Sequence, residues 1–270
     1  MKLIEQSYEI CKTTGYTLQD IYKDIERAAR ISYKSEDKIT EDSAEKMVQR
    51  LINMKHYSPL EFGTVYMVMT DKDEQDKIFL KQFCINRFTD VKDFQEGDIH
   101  KWYITTNYRV IVEHHWEHIM NKYMQAPTIY HERRTMVKFI CPRIISQMFM
   151  RHRVFSFLQE SQRYVAYDKD KFGNEVSFVR PVWDKEDKSD YSECFTKAEE
   201  EYMRLRNEGY KPQQARAVLP NYTATSFYMC GFKKDWDDFF AKRDIPQADP
   251  QMYDLVHKLH SEFIEKGICK

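Results

Sequence analysis

The chain has 270 residues, with 42 Lys+Arg against 43 Asp+Glu and a formal net charge of −1. That balance argues against a general nucleic-acid coat protein, because such binding needs an excess of basic side chains. Only 7 glycines occur, none of them in G-x-G-x-x-G or G-x-x-x-x-G-K-[ST]. Neither a Rossmann dinucleotide site nor a P-loop is expected, since both need Gly where backbone meets phosphate.

In chain order, Thr17 to Tyr33 places Leu18, Ile21, Tyr22, Ile25, Ala28 and Ala29 on one helical face. Thr17 with Asp20 three residues on resembles a capping box at its start. A second helix is expected from about Asp42 to Lys55, with Met47, Leu51 and Met54 on one side. Ser58-Pro59 should stop it, because the residue before proline is pushed out of the helical region. Phe62 to Thr70 reads as a buried strand, Asp71–Asp76 as an acidic turn, and Trp102-Tyr103-Ile104 as a further strand.

Tyr108 to Met124 reads as a helix, which would set His114 and His118 one turn apart beside Glu113, His115 and Glu117. Two histidines at that spacing can ligate a metal. H-E-x-x-H is not matched, however, and Glu and His also make an ordinary wet helix face, so no metal is expected. Thr135 to Cys141 reads as a strand, and Pro142 suits the first position of a helix that delivers Arg151. Later helices are expected over 192–208, 211–219, 234–242 and 250–266. This alternation makes an α/β or α+β domain without repeats or low-complexity tracts.

The six cysteines (Cys11, Cys84, Cys141, Cys194, Cys230, Cys269) form no C-x-x-C pair. They read as reduced thiols in a cytoplasmic protein rather than a disulfide framework or a zinc site. Met1 to Glu5 lacks the apolar core of a signal peptide. No apolar run approaches the ~18 residues that a membrane span needs. No membrane or nucleic-acid partner is expected.

The densest chemistry lies in Arg151 to Tyr164. Arg151, His152, Arg153, Ser156, Gln159, Ser161, Gln162 and Arg163 crowd this segment with Glu160 as its sole carboxylate. Guanidinium groups present forked N–H donors that match phosphate and carboxylate oxygens two at a time. The segment therefore reads as an anion site for a phosphorylated ligand, although a bare Arg-His-Arg more often ends a solvated helix.

Arg-His-Arg followed by seven residues and Ser161, then Gln162-Arg163-Tyr164, resembles the signature of the flavin-dependent thymidylate synthases. Ala215-Arg216-Ala217-Val218-Leu219-Pro220-Asn221 is similar to that family's AR-x-VLP segment, and His56-Tyr57-Ser58-Pro59-Leu60-Glu61 to its H-x-[ST]-P-[LF]-E segment. Ala28-Ala29-Arg30-Ile31-Ser32-Tyr33 is a fourth, weaker match. All four occur in the family's order, and Arg243 follows Arg216 at the family's spacing. The likeness covers roughly 17–70 and 136–265, leaving an insertion at about 71–135 that reads as a surface elaboration.

The resemblance implies a single domain over 1–270, with a mixed or antiparallel sheet flanked by helices. It implies reductive methylation of dUMP to dTMP, with FAD as hydride carrier and NADPH and methylenetetrahydrofolate as co-substrates. It also implies a homotetramer with shared active sites. By position, His56, Ser58, Arg151, His152, Arg153 and Gln159 would bind the flavin. Met148, Arg151, Gln159, Glu160, Ser161, Gln162, Arg163, Arg216 and Arg243 would contact dUMP. Arg243 would stabilise the pyrimidine as its N3 proton leaves, a charge role that Arg performs without deprotonating itself.

Phe62, Met148, Phe232, Asp238 and Gln247 depart from the residues usual at those places, which leaves a related uridylate modification such as hydroxymethylation open. A non-catalytic nucleotide- or RNA-binding protein using the Arg151–Arg163 segment beside aromatics is the alternative from another class.

Overall fold

In the computed structural model the described residues are 1–70, 74–97, 99–170, 173–184 and 191–269. The chain opens with two short strands, β1 (Lys2–Ile4) and β2 (Ser7–Ile10), followed by α1 (Leu18–Arg30). Thr17 caps α1 as expected. Its hydroxyl accepts the Asp20 N–H at 3.2 Å, while the Asp20 carboxylate accepts the Thr17 N–H at 3.1 Å. Two donors that would be orphaned at the helix start are thereby satisfied. Ile21, Tyr22, Ile25, Ala28 and Ala29 are all buried, so the apolar face falls where the spacing put it.

The next helix, α2 (Ser43–Asn53), ends earlier than the expected proline stop. Lys55 turns left-handed (φ 55°), and the N–H groups of Lys55 and His56 donate to the Ile52 and Leu51 carbonyls, both at 2.9 Å. That cap closes the helix. Pro59 instead lies in the first turn of a short 3₁₀ helix, Ser58–Phe62.

The 3₁₀ helix leads into β3 (Thr64–Thr70), α3 (Glu74–Ile85), β4 (Asp90–Glu96), β5 (Ile99–Asn107), α4 (Tyr108–Glu113) and α5 (Glu117–Tyr123). The turn expected over Asp71–Asp76 falls partly on 71–73, outside the described residues, and its remainder starts α3. The single helix expected over Tyr108–Met124 is in fact two. The chain breaks at His114–Trp116, with His115 left-handed (φ 57°), because Trp116 turns inward to pack on Phe83 with ring centroids 4.5 Å apart. His114 stacks on Trp116 and His118 meets Phe79 edge-on, so the two histidines do not share one helix face.

After β6 (Arg134–Pro142) and α6 (Arg143–Phe149) come β7 (Ser156–Gln159), β8 (Ser177–Val179), α7 (Tyr191–Asn207) and α8 (Pro212–Ala215). The chain then finishes with β9 (Ala224–Phe232), α9 (Lys233–Arg243) and α10 (Pro250–Glu265). Pro142 is the residue capping α6 rather than its first helical position.

Among the described residues three sheets result: an antiparallel β2-β6-β9-β7 sheet, an antiparallel β3-β5-β4 sheet and a parallel β1-β8 pair. One core lies between the three-stranded sheet and α1, α2, α4 and α5. A second lies where α6, α9 and α10 cover one face of the four-stranded sheet. Ala28, Ile31, Phe62, Met136, Tyr228 and Cys230 form an apolar seam joining α1 to that sheet. Cys141, next to the end of β6, is fully buried, and burial pushes its thiol well up. All six cysteines are free. Among the described residues, no helix is long and apolar enough to cross a membrane.

At Gly231 in β9 the ring of Phe155 lies against the backbone, and an added Cβ would come within 2.5 Å of it. Gly231→Ala is expected to destabilise the fold by about 1–3 kcal/mol through overpacking. A urea titration reads the change. Thr17→Ala should cost about 1 kcal/mol by the same measurement, through loss of the cap.

Candidate functional site

A cavity of about 770 Å³ opens between the end of α1, α2, the Ser58–Phe62 turn and β7. Its volume lies within the ~300–1,000 Å³ range of small-molecule and cofactor sites. Arg30, Lys38, Arg50, Lys55 and Arg109 line it together with His56, and among the described residues no carboxylate does. Arg30 is committed to Glu26 (2.5 Å), and Arg109 to Glu61 (2.7 Å) and Glu113 (2.9 Å). Lys38, Arg50 and Lys55 have no carboxylate partner among the described residues. Ser32, Ser35, Ser58 and Ser161 supply hydroxyls, and Tyr33, Tyr57 and Tyr164 supply ring surface. The rings of Tyr33 and Tyr164 stand 5.1 Å apart, each more than half exposed.

Local backbone geometry explains this convergence. The left-handed cap at Lys55 swings His56 and Ser58 across the end of α2. The Ser161 N–H donates to the Ser32 carbonyl at 3.0 Å, tying the segment after β7 to the turn after α1. The α2 face read from sequence as apolar, Met47, Leu51 and Met54, looks into this cavity, whereas Ala44 and Val48 face the core. Arg50 belongs to the same cavity-facing side. Sequence reasoning missed it, although a cation three residues after Met47 and four before Met54 was the available signal.

Arg151 and Arg153 are exposed after α6, and neither lines the large cavity. His152 is half-buried against Phe239, and its Nε2 accepts the Arg243 Nε–H at 2.9 Å. Burial, and then the charges of Arg243 and Lys242, hold the His152 imidazole below its ordinary range. A neutral ring with its proton on Nδ1 is the tautomer that can accept this bond. Arg243 occupies the last turn of α9, where a cation is favoured. Anchored through Nε, its two terminal amino groups have no partner among the described residues.

The rest of the motif disperses within one chain. Gln159 donates inward to the Ser146 hydroxyl at 2.8 Å and to that of Thr225 at 3.0 Å. Glu160 is buried and bonded to Tyr167 (2.9 Å), Ser226 (3.2 Å) and Lys34 (3.0 Å), on the wall of a separate cavity of about 600 Å³. Gln162 is buried, Arg163 lies beside the Tyr164 ring with its guanidinium carbon 5.4 Å from the centroid, Met148 packs against the sheet core, and Arg216 is half-buried. The large cavity thus gathers His56, Ser58 and Ser161 of the residues expected from sequence, while His152 and Arg243 meet elsewhere.

The lowered His152 predicts a pH effect on stability. Below the ordinary imidazole value of 6.5 the unfolded chain takes up this proton first, so stability falls as pH drops through that range. His152→Asn should lose this part of the slope. Urea midpoints measured between about pH 7.5 and about pH 5.5 check it, and an unchanged slope would sink the assignment.

A family model for thymidylate synthase complementing protein matches residues 68–266, running through the 71–135 segment and leaving His56–Glu61 outside the matched range. The flavin-dependent thymidylate synthase of Pyrobaculum aerophilum is 42% identical over 87 residues, covering 32% of this chain and 31% of that protein. The enzyme of the same name from Pyrococcus furiosus is 28% identical over 130 residues (47% and 52%), and that from Corynebacterium aurimucosum 33% over 132 residues (42% and 51%). The chain thus matches about half or less of the length of these relatives. A crystal structure of the UMP/dUMP methylase PolB from Streptomyces cacaoi, bound with 5-Br UMP, aligns with a TM-score of 0.46 at 15% identity over 98% of this chain and 92% of that one. With most of its length matched by the family model, the chain belongs to the thymidylate synthase complementing protein family, that of the flavin-dependent thymidylate synthases.

Proposed function

We propose that this protein is a cytoplasmic flavin-dependent thymidylate synthase that reductively methylates dUMP to dTMP. The observation that carries this reading is the cation-lined cavity, with no carboxylate among its described lining residues, where His56 and Ser58 of one sequence segment meet Ser161 of another. Its donor set suits a phosphorylated aromatic ligand, with Lys38, Arg50 and Lys55, which have no carboxylate partner among the described residues, for phosphate and Tyr33 and Tyr164 for a ring. FAD is the expected occupant, and reduced flavin would supply the hydride, with methylenetetrahydrofolate as carbon donor and NADPH as reductant. His56 and Ser58 would orient the flavin ring system, and Arg151, His152 and Arg153 would grip its phosphate and adenosine end.

In this reading residues 1–270 act as one catalytic domain elaborated at about 71–135. The dispersal of Arg151, Arg153, Arg163 and Arg216 away from the cavity within one chain supports a shared site in a homotetramer. Ser161 and Arg163 would then act on dUMP held mainly by a neighbouring subunit. Ser161 binds rather than attacks in this scheme, since a serine nucleophile needs a positioned base. Arg243, held through Nε by His152, would aim its terminal amino groups at the charge that develops when the pyrimidine loses its N3 proton.

Formation of dTMP from labelled dUMP with FAD, NADPH and methylenetetrahydrofolate tests the reading directly, and absence of product from a flavin-loaded protein would overturn it. Arg243→Ala should lower turnover at saturating dUMP about a hundred- to thousandfold with flavin content unchanged. A destabilised but fully active variant would reduce Arg243 to a helix cap. Mixed oligomers of Ser161→Ala and Arg243→Ala protomers should regain some activity if sites are shared, and verified mixed oligomers without recovery would count against sharing.

A further inference from the structure

Among the described residues, one member of the 71–135 segment reaches the large cavity: Arg109. Its place follows from strand register. β3 and β5 pair antiparallel with Thr64 opposite Asn107, so the residues just after β5 lie beside those just before β3. The Tyr108 N–H donates to the Gly63 carbonyl at 2.8 Å, and the Asn107 side chain caps α4 by accepting the Val110 N–H at 3.1 Å. The first turn of α4 is thereby fixed against the Ser58–Phe62 turn. Arg109 belongs to the former and Glu61 to the latter.

The Arg109 guanidinium donates to Glu61 at 2.7 Å and to Glu113 at 2.9 Å. The two carboxylates are not equivalent. The Glu113 side chain is 37% exposed, so water and salt screen it, whereas that of Glu61 is only 16% exposed. Arg109 stands on the cavity wall, and Glu61 is not among the described lining residues. Without the guanidinium, a partly desolvated negative charge would stand in the turn that carries Ser58, beside a cavity lined by cations. Charges removed from bulk water act on one another over several ångströms.

We propose that Arg109 is a specificity-determining residue of the large cavity: it cancels the Glu61 charge at the wall and so lets the cavity favour a phosphorylated ligand over its unphosphorylated counterpart. The 71–135 segment thus completes the electrostatics of the cavity instead of only decorating the surface. The inference rests on reading this cavity as a site for a phosphorylated ligand, and it depends neither on the ring that ligand carries nor on turnover. The competing account is a purely structural tie between α4 and the turn. That account has charged and uncharged ligands weakened equally, together with a lower melting temperature.

Equilibrium titration of the full-length chain with FAD and riboflavin, and with ADP and adenosine, separates the two accounts. Arg109→Gln should weaken FAD binding about tenfold or more and riboflavin binding by less than about twofold. Adding Glu61→Gln to Arg109→Gln returns the wall to its original net charge, so most of the lost FAD affinity should come back. Melting curves verify that the variants are folded. Glu61→Gln alone should raise FAD affinity, where a structural tie requires a loss, so the comparison holds even if Arg109→Gln unfolds. Unchanged FAD binding in Arg109→Gln, an equal loss for riboflavin, or no recovery in the double variant overturns the proposal and leaves the flavin reading intact. If the chain binds ADP but not FAD, with the same loss and recovery against adenosine, the flavin reading falls and this one stands. Binding of neither FAD nor ADP overturns both.

Discussion

The pairing of β6 with β9 is the constraint on which the rest of the molecule depends. It runs unbroken from Arg134 opposite Phe232 to Pro142 opposite Ala224, and β2 and β7 attach to its two sides. Because the strands are antiparallel, α6 leaves one end of the ladder and α9 leaves the other. Both helices lie over the same face, where the Phe149 and Phe239 rings stack 5.4 Å apart on a sheet core that includes Phe139 and Phe227. Their far ends therefore approach each other, which is how Arg243 reaches His152 across 91 residues of sequence. A register slip of one residue would turn every β9 side chain to the opposite face and move both helices.

What the sequence made legible follows from how local each signal is. The Thr17–Asp20 cap and the apolar spacing of α1 are complete within a few turns of chain, and they appear as read. The β9 strand was not recognised: all nine of its residues are buried, so no polar–apolar alternation marks it. The β7 strand was hidden inside a motif whose chemistry drew attention away from its backbone. The break at His114–Trp116 depends on Trp116 finding Phe83, a contact from outside the window in which a helix is judged. In the site, His56, Ser58 and Ser161 were legible as members of family-like segments. Lys38 and Arg50 were not, because only the tertiary fold puts them on one wall.

Balanced composition conceals strongly unbalanced places. Overall, acids and bases differ by one, yet among the described residues lining the large cavity every charged group is a cation. The acids are elsewhere, many of them in exposed helix pairs such as Glu193 with Lys197 and Glu201 with Arg204. Such pairs contribute little to stability. They leave Lys38, Arg50 and Lys55 of the large cavity without a carboxylate partner among the described residues, which is what an anionic ligand requires.

The complete burial of β9 also bears on how the chain reaches its fold. Ala224–Phe232 carries no charge and no proline, and its β6 partner lies far upstream across β7, β8, α7 and α8. Long-range antiparallel pairing of this kind is slow, because loop closure precedes any gain from contact. Until β6 accepts it, the segment is an apolar, uncharged strand with open edges, the type of sequence that assembles with its own copies. The ladder that organises the finished molecule is thus also its point of greatest exposure during synthesis. Conditions that slow closure of β9 onto β6 would be felt as lost yield well before any loss of stability in the folded protein.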